Sequence, residues 1–111
     1  IAMIDRFLEH SRVFIIGAGE RERIYISSAD LMSRNLDRRV EVACPIYDEK
    51  LKNQLRDLFL YQWKDTSSAR ILDNDLENEL NKPDSGEVPF RSQVEFYKYL
   101  NRINEANDKG K

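Results

Sequence analysis

The 111-residue sequence contains a single cysteine, a single histidine, a single tryptophan and three prolines. One cysteine, Cys44, cannot form an internal disulfide, and the lack of paired metal-ligand cysteines excludes a structural zinc site. Cys44 lies in the apolar run 42–46, so we expect a small buried hydrophobic side chain rather than a reactive thiol. This cysteine usage fits a reducing compartment.

Long apolar runs are also missing. No stretch approaches the roughly 20 apolar residues that span a bilayer. Charged residues within the first ten positions, such as Asp5 and Arg6, argue against a secretory signal there. With 41% hydrophobic and 34% charged residues, the composition is typical of a soluble globular protein. We predict a cytoplasmic location without a transmembrane segment, and peripheral membrane association is left open.

Excess charge of one sign is absent, because the formal net charge is -2. This argues against general nucleic-acid binding, which needs a basic surface. The distribution is more informative than the sum, because the stretch from residue 12 to residue 39 contains no lysine. Its cations are all arginines, whose planar guanidinium suits phosphate oxygens in a dry site. They are Arg12, Arg21, Arg23, Arg34, Arg38 and Arg39.

Short apolar runs predict the strands. The β-branched and aromatic run 13–16 and the run 24–26 predict two strands joined as a hairpin, with the charged residues 20–23 at its tip. Alternation over 39–46 predicts a third strand, which Pro45 should end. The spacing of apolar residues over 1–9 predicts the end of a helix, and hence a chain cut from a longer one.

Helical periodicity follows in the second half of the chain. Asp48 predicts the N-cap of a helix that runs to about Lys64, with the apolar stripe Leu51, Leu55, Leu58 and Phe59. Residues 66–90 read as irregular, with one short helix after Asp73 and a polar loop over 82–89. Ser92 and Glu95 predict a capping box for the last helix. This helix should bury Phe96, Tyr99, Leu100 and Ile103, and end in a frayed tail, 104–111.

The first candidate for chemistry is His10. It is followed two residues later by Arg12, at the entry to a strand, so both side chains should point to the same side. A titratable imidazole beside a permanent cation suits phosphoryl chemistry. A capping or packing role for the single histidine remains an alternative at this stage.

The second candidate is the segment 24–42, in which a strand ends at Ser27 and Ser28 and a polar loop follows. Small hydroxyl residues allow backbone N–H groups to approach an anion, and Asn35 adds a donor. A polar turn with solvated charges is the alternative, in which Asp30 and Asp37 are turn formers.

Residues 24–42, together with 7–13, resemble the last catalytic segment of the bacterial polyphosphate kinases, whose C-terminal half is similar to the phospholipase D fold. The resemblance is strong over at least 4–46 and looser through 65–70 and the final helix. It implies an α/β (α+β) fold, with a small mixed sheet flanked by helices. It also implies that residues 1–111 form the C-terminal phospholipase D-like catalytic lobe of a longer kinase.

The resemblance assigns roles to individual residues. His10 matches the second essential histidine of the family, placed near the nucleotide phosphates. Arg39 matches an arginine that holds the phosphate chain, and Arg12 takes the place of the cation in the phospholipase D His-x-Lys pattern.

Further phosphate donors are implied at Ser27, Ser28 and Asn35, where the superfamily places its Ser and Asn side chains. Glu41 is our own addition, a partner that orients His10, inferred from its predicted strand face. The sequence departs from relatives at Leu31 and Ser33, where they often carry a tryptophan and a proline or threonine. These two changes affect loop packing and remove no phosphate ligand.

The implied activity is reversible transfer of the terminal phosphate of ATP to inorganic polyphosphate, through a phosphohistidine outside this chain. ATP or ADP, polyphosphate and the remainder of the polypeptide would be partners, a homo-oligomer is expected, and Mg²⁺ would bind through ligands elsewhere. This chain alone should be inactive. Two alternatives stay open: a non-catalytic polyphosphate- or polyanion-binding module, and a phospholipase D-type phosphodiesterase lobe.

Overall fold

The computed structural model describes residues 1–75 and 77–108, which form two compact units. The central unit is His10–Asp57, and the terminal unit combines Ile1–Glu9 with Leu58–Lys111. Helices and small sheets alternate along the chain, so the predicted α/β class is confirmed. Both sheets are antiparallel where the resemblance implied a mixed one. In the central sheet, the connection from β2 to β3, residues 17–22, is too short for a parallel crossover.

The central unit is built on a three-stranded sheet. Strand β2 (Val13–Ile16) pairs with β3 (Arg23–Ser27), which confirms the predicted hairpin. Ile24, in the middle strand, is buried. Gly17 makes the turn possible, because its φ is +81° and a Cβ there would lie 2.8 Å from the Arg21 carbonyl oxygen.

The third strand is shorter than predicted. Strand β4 spans Ala43–Ile46, and the predicted strand was 39–46. The polar loop before it contains a short helix, α1 (Ser33–Arg38). The β3–β4 ladder stops at the pair Ser27–Ala43. Beyond this pair, the N–H of Val42 donates to the side-chain oxygen of Ser28 and not to a strand carbonyl.

The edge position of β4 overturns two further expectations. Pro45 lies inside the strand, opposite Tyr25, and does not end it. An edge strand accepts proline because one of its sides carries no ladder hydrogen bonds. Cys44 is exposed, so the prediction that it is buried was wrong. The apolar run 42–46 reflects strand propensity there and not burial.

Helix α2 (Glu49–Trp63) begins and ends close to the predicted bounds. The Asp48 carboxylate accepts the N–H of Leu51 at 3.0 Å, which confirms the N-cap. The predicted apolar stripe is only partly covered, since Leu51 and Phe59 are exposed. Within the central unit, the helix is tied to the hairpin by the ion pair of Arg56 with Glu22.

The terminal unit begins with a strand where a helix end was predicted. Strand β1 (Ala2–Met3) pairs with β5 (Ala69–Arg70), and Ala69 is completely buried. The helix prediction for 1–9 failed because this pairing joins segments more than 60 residues apart, which no local pattern reveals. Arg70 also bridges to Leu80, so the described residues after Asp73 form an irregular connection and not the predicted short helix.

Helix α3 (Ser92–Asp108) is longer than expected and includes 104–108 of the predicted tail. The other three tail residues, 109–111, lie outside the described residues. The predicted capping box is not formed: Ser92 is already helical, and its N–H is bound by Asp65. The Glu95 carboxylate pairs with Lys98 at 2.7 Å instead.

A cluster of half-buried aromatic rings packs together in the terminal unit. Tyr61 contacts the rings of Phe90, Phe96 and Tyr99 at centroid distances of 5.4–5.6 Å. Phe96 and Tyr99 lie on the face of α3 that the sequence predicted to be covered. Among the described residues, no helix combines the length and apolar character needed to cross a membrane.

Candidate functional site

The predicted site residues lie together in the central unit, at one end of its sheet. His10 and Arg12 lead into β2, and Ser27 ends β3. The segment 28–42, which we call the closed loop, carries Ser28, Asn35, Arg39 and Glu41. Its two ends are joined, because the N–H of Ser28 donates to the Val42 carbonyl at 3.0 Å and the N–H of Val42 donates to Ser28 Oγ at 3.1 Å.

A first cluster joins His10, Arg12 and Asp30. Arg12 donates from Nε to Asp30 Oδ1 at 2.6 Å and from Nη2 to His10 Nε2 at 2.7 Å. His10 Nε2 lies 3.8 Å from the same Asp30 oxygen. The Arg12 side chain is 23% exposed and that of His10 is 61% exposed. The guanidinium is therefore half-buried behind an imidazole that faces solvent.

A second cluster is organised by Glu41. Its carboxylate accepts hydrogen bonds from Ser28 Oγ and from Asn35 Nδ2, the latter at 3.0 Å. Asn35 is the most buried residue of α1, at 3% exposure. Glu41 therefore fixes the loop and does not bind His10 as predicted. The carboxylate that approaches His10 is that of Asp30, which a turn-forming pattern did not distinguish from Asp37.

Hydrogen bonds, aided by nearby positive charges, lower the pKa of both carboxylates. The hydrogen bond from Arg12 lowers the pKa of Asp30 and raises the pKa of Arg12 in return. The hydrogen bond from Ser28 lowers the pKa of Glu41, and the nearby positive charges of Arg39 and Arg12 act in the same direction. Arg12, Asp30 and Glu41 are therefore charged at neutral pH.

Arg39 lies at the C-cap of α1 and is exposed. Its guanidinium makes no hydrogen bond to any part of the chain that the structure describes, although its charge acts on Glu41. Ser27 is half-buried: its Oγ donates to the Val42 carbonyl at 3.1 Å and accepts the N–H of Ala29 at 3.0 Å. Arg39 is thus available to an anion, whereas the Ser27 and Ser28 hydroxyls are engaged within the loop.

The terminal unit contains a different acidic group, which the sequence did not single out. Asp65 is fully buried, and its carboxylate accepts the N–H groups of Ser67, Ser68, Ala69 and Ser92 at 2.6–3.0 Å. Burial raises the pKa of Asp65, but these donors outweigh it and lower the pKa to about 2. An Asp directly before a run of small hydroxyl residues is the local signal for such a turn.

A resident metal finds no support in this arrangement. Among the described residues, no group of three or more His, Cys, Asp or Glu side chains is placed to hold a metal ion. The carboxylates of the two clusters, Asp30 and Glu41, are instead bound by Arg12, Ser28 and Asn35. The donors that remain for a ligand are cationic or neutral, which suits an anion.

Comparison with known proteins agrees with this α/β lobe. Residues 1–93 match the family described as Polyphosphate kinase C-terminal domain 2. The polyphosphate kinase of Vibrio cholerae serotype O1 is 40% identical over 111 residues, and that of Escherichia coli strain K12 is 39% identical over 103 residues. They are covered over 16% and 15% of their length, and this chain over 100% and 93%.

A solved structure extends the likeness to three dimensions. The crystal structure of polyphosphate kinase from Porphyromonas gingivalis matches with a TM-score of 0.87 and 38% identity, over 94% of this chain and 16% of that chain. The phospholipase D-like α/β class expected from the sequence is thereby confirmed. The chain belongs to the polyphosphate kinase family, in its C-terminal domain 2.

Proposed function

We propose that this chain is the phosphate-binding lobe of a polyphosphate kinase, which transfers the terminal phosphate of ATP reversibly to inorganic polyphosphate. Family membership supports the activity. The observation that carries the role of this lobe is the solvent-facing His10 backed by Arg12, with the exposed Arg39 at the same end of the sheet. The chain spans about one sixth of the length of the relatives that it matches.

The chemistry proposed for this lobe is electrostatic. Arg12 and Arg39 would bind the oxygens of the transferring phosphate, and His10 would bind or protonate an oxygen of the leaving group. Each charge-assisted hydrogen bond to phosphate contributes about 1.5–3 kcal/mol when water is excluded. The phosphohistidine would form outside this chain, so we expect the chain alone to bind phosphate and not to transfer it.

Magnesium and nucleotide belong to the same proposal. Phosphoryl transfer commonly uses a divalent ion to neutralise charge on the phosphates, and the described residues contain no cluster that could hold one. We therefore assign the magnesium ligands to the remainder of the polypeptide. That remainder, ATP or ADP and polyphosphate are the proposed partners. A cytoplasmic site of action and a homo-oligomeric enzyme complete the proposal.

The binding role is tested by titrating the purified chain with short polyphosphate and following the phosphorus NMR signal. We expect saturable binding that Arg39→Ala and His10→Ala each weaken, while Arg102→Ala, an exposed arginine on α3, leaves it unchanged. Binding that none of the three changes affects would indicate a general polyanion-binding surface. Hydrolysis of a phosphodiester by the full-length enzyme would favour the phosphodiesterase alternative.

A further inference from the structure

Asp30 belongs to none of the roles assigned so far, yet it is the anchor of the first cluster. Its Oδ1 accepts Arg12 Nε at 2.6 Å, and the same arginine reaches His10 Nε2 through Nη2 at 2.7 Å. Arg12 therefore stands between the carboxylate and the imidazole and contacts both. Its side chain is the least exposed of the three, at 23%.

The donor inventory fixes the protonation of the imidazole in this arrangement. A guanidinium has five N–H donors and no acceptor, and it is not deprotonated in proteins. The contact between Arg12 Nη2 and His10 Nε2 is a hydrogen bond only if Nε2 is the acceptor. The proton of the neutral ring then lies on Nδ1.

We infer that Asp30 is a positioning residue, which orients Arg12 and thereby holds His10 as the tautomer with a proton on Nδ1 and a bare Nε2. In that state the ring presents an N–H donor from a side chain that is 61% exposed. For the transfer reaction, which rests on the proposed function, His10 would begin as a hydrogen-bond donor to a phosphate oxygen and not as a general base.

The other charged groups near the cluster do not take over the role of Asp30. Glu41 acts on Arg12 only through its charge, because its carboxylate is bound by Ser28 and Asn35. Arg34 is near enough for its charge to act on Asp30, but no hydrogen bond joins the two within the residues the structure describes. A flexible arginine without a fixed carboxylate loses its preferred orientation through side-chain entropy.

The tautomer can be measured directly, because His10 is the only histidine of the sequence. In nitrogen-15-labelled chain above the titration range of the ring, we expect the wild type to show a protonated Nδ1 and an unprotonated Nε2. Asp30→Asn should shift the population towards the Nε2-protonated form, and Asp30→Glu should partly restore the original state. Asp37→Asn removes the same charge from an exposed position of α1 and should change nothing.

Identical ring nitrogen shifts in wild type and Asp30→Asn would overturn the inference, provided that the backbone amide spectrum shows a folded chain. If Asp30→Asn does not fold, Asp30→Ser takes its place, because it also removes the carboxylate that accepts Arg12 Nε. In the full-length enzyme, Asp30→Asn should lower kcat about ten- to a hundredfold with KM for ATP nearly unchanged. An altered tautomer with an unaltered kcat would overturn the catalytic part.

The tautomer measurement and the activity assay test this inference separately from the function on which it rests. A wild-type full-length protein without ATP-to-polyphosphate transfer would contradict the proposed function. The tautomer measurement would still decide whether Asp30 positions the ring.

Discussion

Asp65 and Asp30 are both held in the ionised form, but by different kinds of donor. Asp65, in the terminal unit, is fully buried and is bound by four backbone N–H groups. Asp30, in the central unit, is partly exposed and is bound by a single side chain, Arg12. Backbone donors hold a carboxylate as part of the fold. A side-chain donor such as Arg12 has further N–H groups, which can bind a second residue.

The contrast separates a structural acid from a functional one. Asp65 ties the start of β5 to the start of α3, and its bonding capacity is used within the chain. Asp30 orders a cation whose other face meets a solvent-facing imidazole. A lowered pKa therefore does not by itself mark an active site. The number and type of the donors distinguish the two cases.

The comparison predicts that Asp65 dominates stability. Asp65→Ala removes the acceptor of four backbone N–H groups, three of them buried, and each unsatisfied buried donor costs about 1–3 kcal/mol. After partial relaxation we expect the free energy of unfolding of the terminal unit to fall by about 4 kcal/mol. Urea unfolding followed by the fluorescence of Trp63, the single tryptophan, measures this change.

The matched variant is Asp30→Ala in the central unit, which should barely change that transition. Equal destabilisation by both substitutions would show that the two carboxylates have the same structural role, and the contrast would then be lost.

On the functional side, the largest expected effect is that of His10. In the full-length enzyme, His10→Ala should lower kcat about a hundred- to a thousandfold, the loss that follows removal of one preorganised hydrogen-bond donor. The fold should be unchanged because the His10 side chain is 61% exposed. Near-normal turnover in the assay of ATP-to-polyphosphate transfer would contradict this role and would favour a capping or packing role for His10.

The pH dependence of stability sharpens the comparison further. The folded-state pKa of Asp65 is about 2, below its unfolded value near 3.9. Its contribution is therefore complete above about pH 4 and is lost as the pH falls towards 2. The size is on the order of 2 kcal/mol.

Other acids also have a lowered pKa, such as Asp5, whose carboxylate accepts a hydrogen bond from Arg91. The relevant quantity is the difference in unfolding free energy between wild type and Asp65→Asn. It should shrink between pH 4 and pH 2, and a constant difference over this range would contradict the assignment.

Local patterns predicted the hairpin and the long helices because these elements are set by their own residues. The β-branched run at 13–16 and the N-cap at Asp48 are signals of this kind. The strand at Ala2–Met3 was missed because its partner, β5, lies far along the chain. Pairing at such separation leaves no trace in a window of ten residues.

The candidate site was predictable in its residues and not in its bonds. The resemblance selected His10, Arg12 and Arg39, which lie at one end of the sheet. Alternation placed Glu41 on a strand beside His10, but the Ser28–Val42 hydrogen bonds end the ladder first and turn Glu41 towards Asn35. Side-chain hydrogen bonds that replace ladder bonds are beyond a periodicity argument.

The proline inside β4 has a consequence for how this chain meets other chains. An edge strand offers unpaired backbone groups that can recruit a strand from a second molecule. Strand β4 is four residues long, and Pro45 has no N–H to contribute on the open side. A strand from a neighbouring chain would lack one backbone hydrogen-bond donor at Pro45, inside the short strand. Among the described strands, this edge is therefore a poor template for further sheet growth.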